Sequence, residues 1–240
     1  MREPHPPSLS PRGIAILGWA SLLLAGWLFF AIAWDVSSHA PLVLFDGRVA
    51  AWLHQHGSIE MTAFMLAITH MNSTAGLGAM TVFLALVLVR MREWLWLLSV
   101  ALAVPGALAL NILLKHAYER SRPHFDDPWI TLSSYSFPSG HTAGATAFYG
   151  VFAAFLVSRF YYPRQRIATV AGAIFAVLLV AFSRMYLGVH YLSDVVAAMA
   201  STAAWLALCL TTVHAVAKRK LLARNAVTRS ASETTAPPPR

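Results

Sequence analysis

The sequence has 240 residues, of which 58% are hydrophobic and only 12% are charged. Soluble domains usually carry about a quarter charged residues, so this composition excludes an ordinary soluble globular domain and indicates a chain largely surrounded by lipid. The single cysteine, Cys209, excludes an intrachain disulfide framework and a cysteine-rich metal site. The net charge of +8 raises the question of a nucleic-acid partner, which the positions of the basic residues answer below.

Six apolar stretches are long enough, or nearly long enough, to cross a bilayer, which requires about 20 residues in a helix. They cover residues 13–34, 73–89, 94–114, 140–160, 167–186 and 195–216. The first stretch is too long for the core of a signal peptide and lacks a small-residue cleavage site, so we expect a retained span. The pattern predicts an all-α, polytopic membrane protein with six transmembrane helices.

Two short amphipathic segments separate the first two spans. Apolar residues share one helical face in each segment, at Phe45, Val49, Trp52 and Leu53 in the first and at Met61, Phe64, Met65 and Ile68 in the second. Both segments are too short and too polar to cross, so we expect interfacial helices. Packing of the same faces against the bundle is an equally compatible alternative.

The distribution of Lys and Arg predicts the topology. Thirteen of the eighteen basic residues lie in the N-terminal segment, in the second and fourth connections between spans, and in the C-terminal tail. Because basic residues favour the cytoplasmic side, we place both termini there. The positive charge is thereby explained without nucleic acid. We divide the chain into a cytoplasmic tail (residues 1–12), a six-span domain (13–217) and a basic tail (218–240) whose composition favours disorder.

With this topology, seven of the ten acidic residues and eight of the ten histidines lie in the outward connections. Three polar segments there carry the candidate chemistry. They are Lys115 to Pro123, then Pro138-Ser139-Gly140-His141, then Ser183-Arg184 followed by His190 and Asp194.

The cations Lys115, Arg122 and Arg184 lie near the ends of spans that can bundle together, and ionisable residues at membrane depth usually mark functional sites. Three cations without as many carboxylates indicate an anion, for which a phosphoryl group is the natural candidate. Ser139 and Gly140 begin a helix, where free N–H groups favour an anion, and glycine permits close approach. Snorkelling of Lys115 and Arg122 to anchor a helix end is the ordinary alternative.

His190 and Asp194 are four residues apart and would share a face of a helix. Asp194 could then accept the Nδ1 proton of His190 and leave Nε2 free as a nucleophile, as the third member of a triad does. His141, beside Ser139-Gly140, is the candidate general acid. A purely structural His–Asp hydrogen bond is the alternative for such a pair taken alone.

The three segments together resemble the signature of the type-2 phosphatidic acid phosphatase superfamily, K-x6-R-P, P-S-G-H and S-R-x5-H-x3-D, with every motif position present. The resemblance implies that Lys115, Arg122, Ser139, Gly140 and Arg184 bind the phosphoryl group. It further implies that His190 is the nucleophile, His141 the acid and then the base, and Asp194 the residue that orients His190, without a metal or other cofactor. Vanadium haloperoxidases share the motif but are larger and soluble.

The resemblance implies a bacterial inner-membrane lipid phosphatase that acts through a phosphohistidine at the periplasmic or extracellular face. Undecaprenyl diphosphate is the first substrate candidate, followed by phosphatidylglycerophosphate or phosphatidic acid, while the motifs recognise only the phosphoryl group. A lipid phosphotransferase with the same intermediate stays open, and a transporter is the less favoured alternative. The sequence leaves open the oligomeric state and the roles of His116, His124, Asp126 and Asp127, for which a metal cluster is less favoured than a solvated loop.

Overall fold

The computed structural model describes residues 11–38 and 41–234, and the regular secondary structure in these residues is entirely helical. The helices are α1 (Pro11–Ser37), α2 (Pro41–Gln55), α3 (Ile59–Met71), α4 (Thr74–Arg90), α5 (Trp94–Tyr118), α6 (Gly140–Arg159), α7 (Pro163–Tyr186) and α8 (Leu192–Thr234). The all-α prediction and the two short helices after the first span are therefore confirmed.

Five helices in the described part of the chain, α1 and α5 to α8, are long and apolar enough to cross a membrane. Helices α3 and α4 meet the same criteria as a pair that is bent by 48°. Counting this pair as one span gives six, the number predicted from the apolar stretches. The chain is therefore a multi-span membrane protein.

From the sequence we expect α3 in the interface and the second span to begin at residue 73, whereas in the structure α3 and α4 meet the criteria for a span together, as a bent pair. The bend is explained by the residues at their junction. Asn72 donates from Nδ2 to the Ile68 carbonyl at 3.0 Å, and Ser73 accepts the Gly76 N–H at 3.3 Å. These side chains compete with the helical backbone and so end one helix and begin the next. A Cβ at Gly76 would lie 2.2 Å from the Met71 carbonyl oxygen, so the bend requires glycine there.

Helix α6 lies at the centre of the bundle and contacts α4, α5, α7 and α8. Its small residues allow this, since a Cβ at Gly144 would lie 2.4 Å from the Leu77 side chain. Around α6 the core is formed by the buried side chains of Leu77, Leu84, Leu88, Val100, Ala103, Val104, Ala107, Ala147, Phe148, Val151 and Phe155. Close packing of this kind, rather than hydrophobicity alone, holds helices together within lipid.

Helix α8 extends beyond the span predicted at residues 195–216, and α1 packs along it. It continues to Thr234, whereas the sequence favours disorder in the tail. Ala, Leu, Lys and Arg are frequent between residues 215 and 224 and are good helix formers, and a helix already nucleated in the span extends more readily than a new one forms. Residues 1–10 of the predicted cytoplasmic tail (residues 1–12) and residues 235–240 lie outside the described part of the chain.

Helix α5 contains one contact that leaves no room for a side chain. A Cβ at Gly106 would lie 2.5 Å from the indole ring of Trp205, and Trp205 also donates from Nε1 to the Leu102 carbonyl at 3.2 Å. The ring is held against α5 by this bond, so it cannot easily move away.

We therefore expect Gly106→Ala to lower the stability of the protein by about 1–3 kcal/mol, the usual cost of overpacking. Gly172→Ala is the matched control, because no atom lies within 4 Å of its Cβ position. Thermal unfolding in detergent should give a lower Tm for the first variant and an equal or higher Tm for the second. Equal Tm values for the two variants would contradict the packing described here.

Candidate active site

The three motif segments converge at one end of the bundle, which we call the polar end. Lys115 and Arg184 lie in the last turns of α5 and α7, while Gly140 and Asp194 lie in the first turns of α6 and α8. Alternate helices run in opposite directions, so these four helix ends meet on the same side. The structure therefore brings together the residues that the sequence analysis singled out.

His190 lies in the turn between α7 and α8 and is only 2% exposed. Its Nδ1 is 3.4 Å from Oδ2 of Asp194, so the predicted pair is present. The helical reasoning behind the pair is wrong, because α8 begins only at Leu192. Asp194 instead faces back over the first turn, where Oδ2 accepts the Tyr191 N–H at 2.8 Å in the manner of a capping box. Gly188, with φ of +70°, turns the chain just before His190.

The hydrogen bonds of His190 assign its protons. Nε2 lies 3.2 Å from Nη1 of Arg122, and a guanidinium can only donate. Nε2 is therefore the acceptor, and Nδ1 carries the proton toward Asp194. Burial lowers the pKa of His190 to about 3, although the hydrogen bond to Asp194 acts in the opposite direction. The imidazole is thus neutral near pH 7, with its lone pair directed toward a cation.

Arg122 and Lys115 are both held by backbone carbonyls of the segment between α5 and α6. Arg122 donates to the Ser134 carbonyl at 2.7 Å and to the Tyr135 carbonyl at 3.1 Å. Lys115 donates from Nζ to the Tyr135 carbonyl as well. Burial lowers the pKa of Arg122 below its usual range. Carbonyl dipoles fix these two side chains but leave their formal positive charges uncompensated.

Arg184 is 2% exposed and donates from Nη1 to Oγ1 of Thr69. Its Nε is buried and has no hydrogen-bond partner among the described residues. The positive charges of Arg184 and Arg122 repel that of Lys115, and the Asp194 carboxylate attracts it. Arg122 also repels Arg184. Three buried or half-buried cations, one of which has a hydrogen-bond donor without an acceptor in the described part of the chain, suit an anion with several oxygens. Such a ligand balances the positive charge and accepts the hydrogen bonds.

Ser139 precedes α6, as predicted, but its backbone N–H donates to the Asp194 carbonyl at 3.1 Å. Ser139 can therefore offer an anion its hydroxyl group rather than this N–H. Anion binding by the N–H groups at the start of α6 stays a prediction for those that follow, from Gly140 onward. Gly140 lies against Asn111, whose Oδ1 would be 3.2 Å from a Cβ at that position. His141 follows in the first turn of α6 and experiences the positive charges of Arg184, Arg122 and Lys115.

A cavity of about 220 Å³ lies next to His141, between α4, α5 and α6. Asn72, Thr74 and Asn111 give it polar groups, and its apolar lining comes from Leu77, Leu108 and Ile112. Ile112 is also 56% exposed on the outer surface of the bundle. The cavity therefore borders both His141 and a surface that faces lipid.

Sequence reasoning missed Arg120 and Asp46. Arg120 occupies one of the variable positions of the first motif, yet its Nη1 lies 2.7 Å from Oδ1 of Asp194. Its Nη2 lies 2.8 Å from Oδ2 of Asp46, a fully buried residue of α2. Asp46 could have been noticed in the sequence, because it places a charged residue among the apolar residues of one face of α2. Its partner could not be read, because the two residues are 74 positions apart.

The flanking residues of the segment between α5 and α6 make other contacts. Asp127 accepts a hydrogen bond from His54 of α2 at 2.8 Å, and this bond lowers the pKa of Asp127. The His54 ring stacks on Phe125 with centroids 4.0 Å apart. His116 contacts the Tyr135 ring. This segment is therefore fastened to α2.

Comparison with known proteins gives related sequences. Phosphatidylglycerophosphatase B of Bacillus subtilis is 37% identical over 134 residues, which cover 55% of this chain and 64% of that protein. Lipid A 1-phosphatase of Rhizobium johnstonii is 38% identical over 112 residues, which cover 43% of this chain and 41% of that protein. The chain thus spans less than two thirds of the length of these curated relatives.

Two solved structures share the fold. The crystal structure of a transmembrane PAP2 type phosphatidylglycerolphosphate phosphatase from Bacillus subtilis has a TM-score of 0.69 at 27% identity and covers 79% of this chain and 94% of that one. The structure of Aquifex aeolicus LpxE has a TM-score of 0.57 at 21% identity, with 69% of this chain and 94% of that one covered, and supports the fold alone.

The family model described as the PAP2 superfamily matches residues 94–218, more than half of the chain. This region includes all three motif segments and the helices α5 to α8 that carry them. The resemblance inferred from the motifs is therefore confirmed, and the chain belongs to the PAP2 superfamily.

Proposed function

We propose that this protein is an integral-membrane lipid phosphatase that hydrolyses a lipid phosphate or diphosphate through a phosphohistidine on His190, without a metal cofactor. The observation that carries the proposal is the position of His190 Nε2, 3.2 Å from Arg122, while Asp194 lies on the Nδ1 side. A lone pair that points at buried cations is where an electrophilic phosphorus would be held.

In the proposed first step, Nε2 of His190 attacks phosphorus as the bond from phosphorus to the lipid oxygen breaks. His141 gives a proton to the departing oxygen. Lys115, Arg122 and Arg184 bind the phosphoryl oxygens and stabilise their charge in the transition state, which is the main requirement in phosphoryl transfer. The Ser139 hydroxyl and the first turn of α6 at Gly140 complete the phosphoryl site.

In the second step, His141 takes a proton from water, and the resulting hydroxide attacks phosphorus. The bond from nitrogen to phosphorus breaks, inorganic phosphate leaves, and His190 is again neutral. Asp194 stabilises the positive charge that the imidazole carries between the two steps. The chain's own residues therefore supply the nucleophile, the acid, the base and the electrostatic stabilisation.

The cavity beside His141 supports a lipid substrate, because the group that His141 protonates must lie next to it. The polar side chains that line the cavity suit the glycerol or sugar of a headgroup, and its apolar lining leads toward lipid. Phosphatidylglycerophosphate and lipid A 1-phosphate come first for testing, since the relatives are named for phosphatidylglycerophosphatase and lipid A phosphatase activity. Phosphatidic acid and undecaprenyl diphosphate complete the panel.

We expect His190→Ala to lower phosphate release by a factor on the order of 10³ or more, since loss of a nucleophile leaves only binding and electrostatic effects. The measurement is phosphate release in detergent across the lipid panel, with and without EDTA, which should not change the rate. His56→Ala is the control, because His56 is exposed just after the end of α2, and among the described residues its ring contacts the Trp52 carbonyl and the Trp52 ring.

A brief incubation with phosphorus-labelled lipid should leave an acid-labile label on the wild-type protein and none on His190→Ala. Retained turnover in His190→Ala would sink the assignment of the nucleophile. A phosphorylated lipid as product, in place of free phosphate, would identify a phosphotransferase instead.

We further propose that the polar end faces away from the cytoplasm and that both termini are cytoplasmic, because thirteen of the eighteen basic residues belong to the terminal segments and connections assigned to the opposite end. In a Cys209→Ala background, Ser133→Cys marks the segment at the polar end, and Gln165→Cys marks the opposite end. Both positions are exposed. A membrane-impermeant thiol reagent should label Ser133→Cys in spheroplasts and Gln165→Cys only after lysis. The reverse labelling would overturn the orientation.

The low pKa of His190 also predicts how stability depends on pH. The pKa is about 3 in the folded protein and about 6.5 in the unfolded chain. Between these values the unfolded chain binds more protons, so stability falls as pH decreases from about 6.5 toward 3. We expect His190→Gln to show a smaller decrease in Tm than the wild type between pH 7 and pH 5. An equal decrease would show that the buried imidazole is not responsible.

A further inference from the structure

Two fully buried carboxylates share one arginine next to His190. Arg120 lies 2.7 Å from Asp194 through Nη1 and 2.8 Å from Asp46 through Nη2. The Arg120 side chain is 10% exposed, and both carboxylate side chains have no exposed surface. Tyr191 lies with its ring 4.3 Å from the guanidinium carbon. The planar guanidinium is thereby fixed on two edges and one face.

Asp46 is also bonded directly to the start of α8. Its Oδ1 accepts the backbone N–H of Ser193 at 3.0 Å, and its Oδ2 accepts the Ser193 hydroxyl. The same hydroxyl oxygen accepts a hydrogen bond from Nη1 of Arg120 at 2.7 Å. Ser193 immediately precedes Asp194, so α2 fixes the backbone from which the carboxylate of Asp194 extends.

Asp194 has no freedom to turn within this arrangement. Its Oδ1 is bound by Arg120, and its Oδ2 accepts hydrogen bonds from the Tyr191 N–H and from the Ser136 hydroxyl. His190 Nδ1 lies 3.4 Å from the same Oδ2. The position of Oδ2 relative to the imidazole therefore depends on partners that never contact the substrate.

The charges of this group are as informative as its geometry. Arg120 by itself would neutralise Asp194, and a neutralised carboxylate would do little for a positively charged imidazole. Asp46 adds a second negative charge, so the three side chains together carry a charge of −1. In a buried site this charge acts strongly on His190. It favours the imidazole most in the state in which the ring is bonded to phosphorus and cationic.

We propose that Asp46 and Arg120 are positioning residues of the phosphatase reaction, which act through Asp194 to orient His190 and to stabilise its positive charge. This inference rests on the proposed function, because it assumes that His190 is the nucleophile. Asp46 lies on α2, at residues 41–55, outside the region matched by the family model. The residues that position His190 therefore include one that none of the three motifs contains.

The competing interpretation is that Asp46 only stabilises the fold. Breaking a buried ion pair by removing one partner is strongly destabilising in general, so a loss of stability would not separate the two roles. The rate of the chemical step would separate them, because a structural role predicts loss of folded enzyme but a normal kcat in the part that folds. The test therefore compares kinetic constants of folded, monodisperse protein.

The first variant is Asp46→Asn, which keeps the shape and removes the charge. We expect kcat to fall about 10-fold to 100-fold, by analogy with the loss of the hydrogen-bond partner that orients a metal-bound histidine. KM and the inhibition constant of inorganic phosphate should change less than about 3-fold, because Lys115, Arg122 and Arg184 are unaltered. Asp127→Asn is the matched control, since Asp127 is an exposed carboxylate that bonds to His54. A kcat in Asp46→Asn equal to that of the control would overturn the inference.

A double-mutant cycle gives the second test. In an Asp194→Asn background the carboxylate that Asp46 positions is already absent and only the direct effect of the Asp46 charge on His190 remains, so adding Asp46→Asn should lower kcat by a clearly smaller factor than it does in the wild-type background. The same 10-fold to 100-fold loss in both backgrounds would show that Asp46 acts independently of Asp194 and would contradict the proposal.

Arg120→Lys provides a variant in case Asp46→Asn does not fold. Lysine keeps the positive charge, but a single ammonium cannot bridge two carboxylates as a planar fork does. We expect the same fall in kcat with little change in KM, and a wild-type kcat would overturn the inference. Failure of the proposed function is distinguishable, because His190→Ala would then remain active, whereas failure of this inference leaves His190→Ala inactive.

Discussion

Charge buried at the end of an apolar helical bundle is the constraint on which this protein depends. Each ion there must find an opposite charge or enough hydrogen bonds, because neither the apolar core nor lipid can solvate it. The carboxylates Asp46 and Asp194 meet this requirement with Arg120. Lys115, Arg122 and Arg184 meet it only in part, through carbonyl and hydroxyl groups. The polar end is thus divided into a satisfied half and a half that suits an anion.

The fold supplies the rigidity that such a division requires. Small residues in α6 allow four other helices to approach it, so the ends of α5, α6, α7 and α8 meet within a small volume. Short connections then fix what the helices bring together. The turn around Gly188 directs His190 inward, and the segment before α6 presents carbonyls to Lys115 and Arg122. Positions of charge are therefore determined by packing as much as by pairing.

The sequence predicted the helices and the convergence of the motif residues, because apolar length and motif spacing are local properties. It predicted the pairing of His190 with Asp194 for an incorrect reason, because it placed both residues on one helix. Helix α8 begins only at Leu192, after His190, where Asp194 caps its first turn. The acceptor of the Ser139 N–H could not be predicted either, because the Asp194 carbonyl lies on another helix. Asp46 and Arg120 were missed for the same reason, as pairing across 74 positions leaves no local pattern. The bend at Asn72 and Ser73 lies at polar residues that the sequence displays, but its 48° angle depends on packing.

The participation of α2 has a consequence for the smallest unit that can work. Residues 94–218 contain all the motif positions, and a fragment or chimera built on that boundary would preserve each of them. It would nevertheless leave Arg120 with one carboxylate, and it would remove the acceptor for the Ser193 N–H at the start of α8. The part of the chain that builds this candidate active site is therefore larger than the part that contains its three motifs. An exchange of segments between this chain and a relative would have to carry α2 together with α5 to α8 to retain the contacts of Asp46 with Arg120 and Ser193.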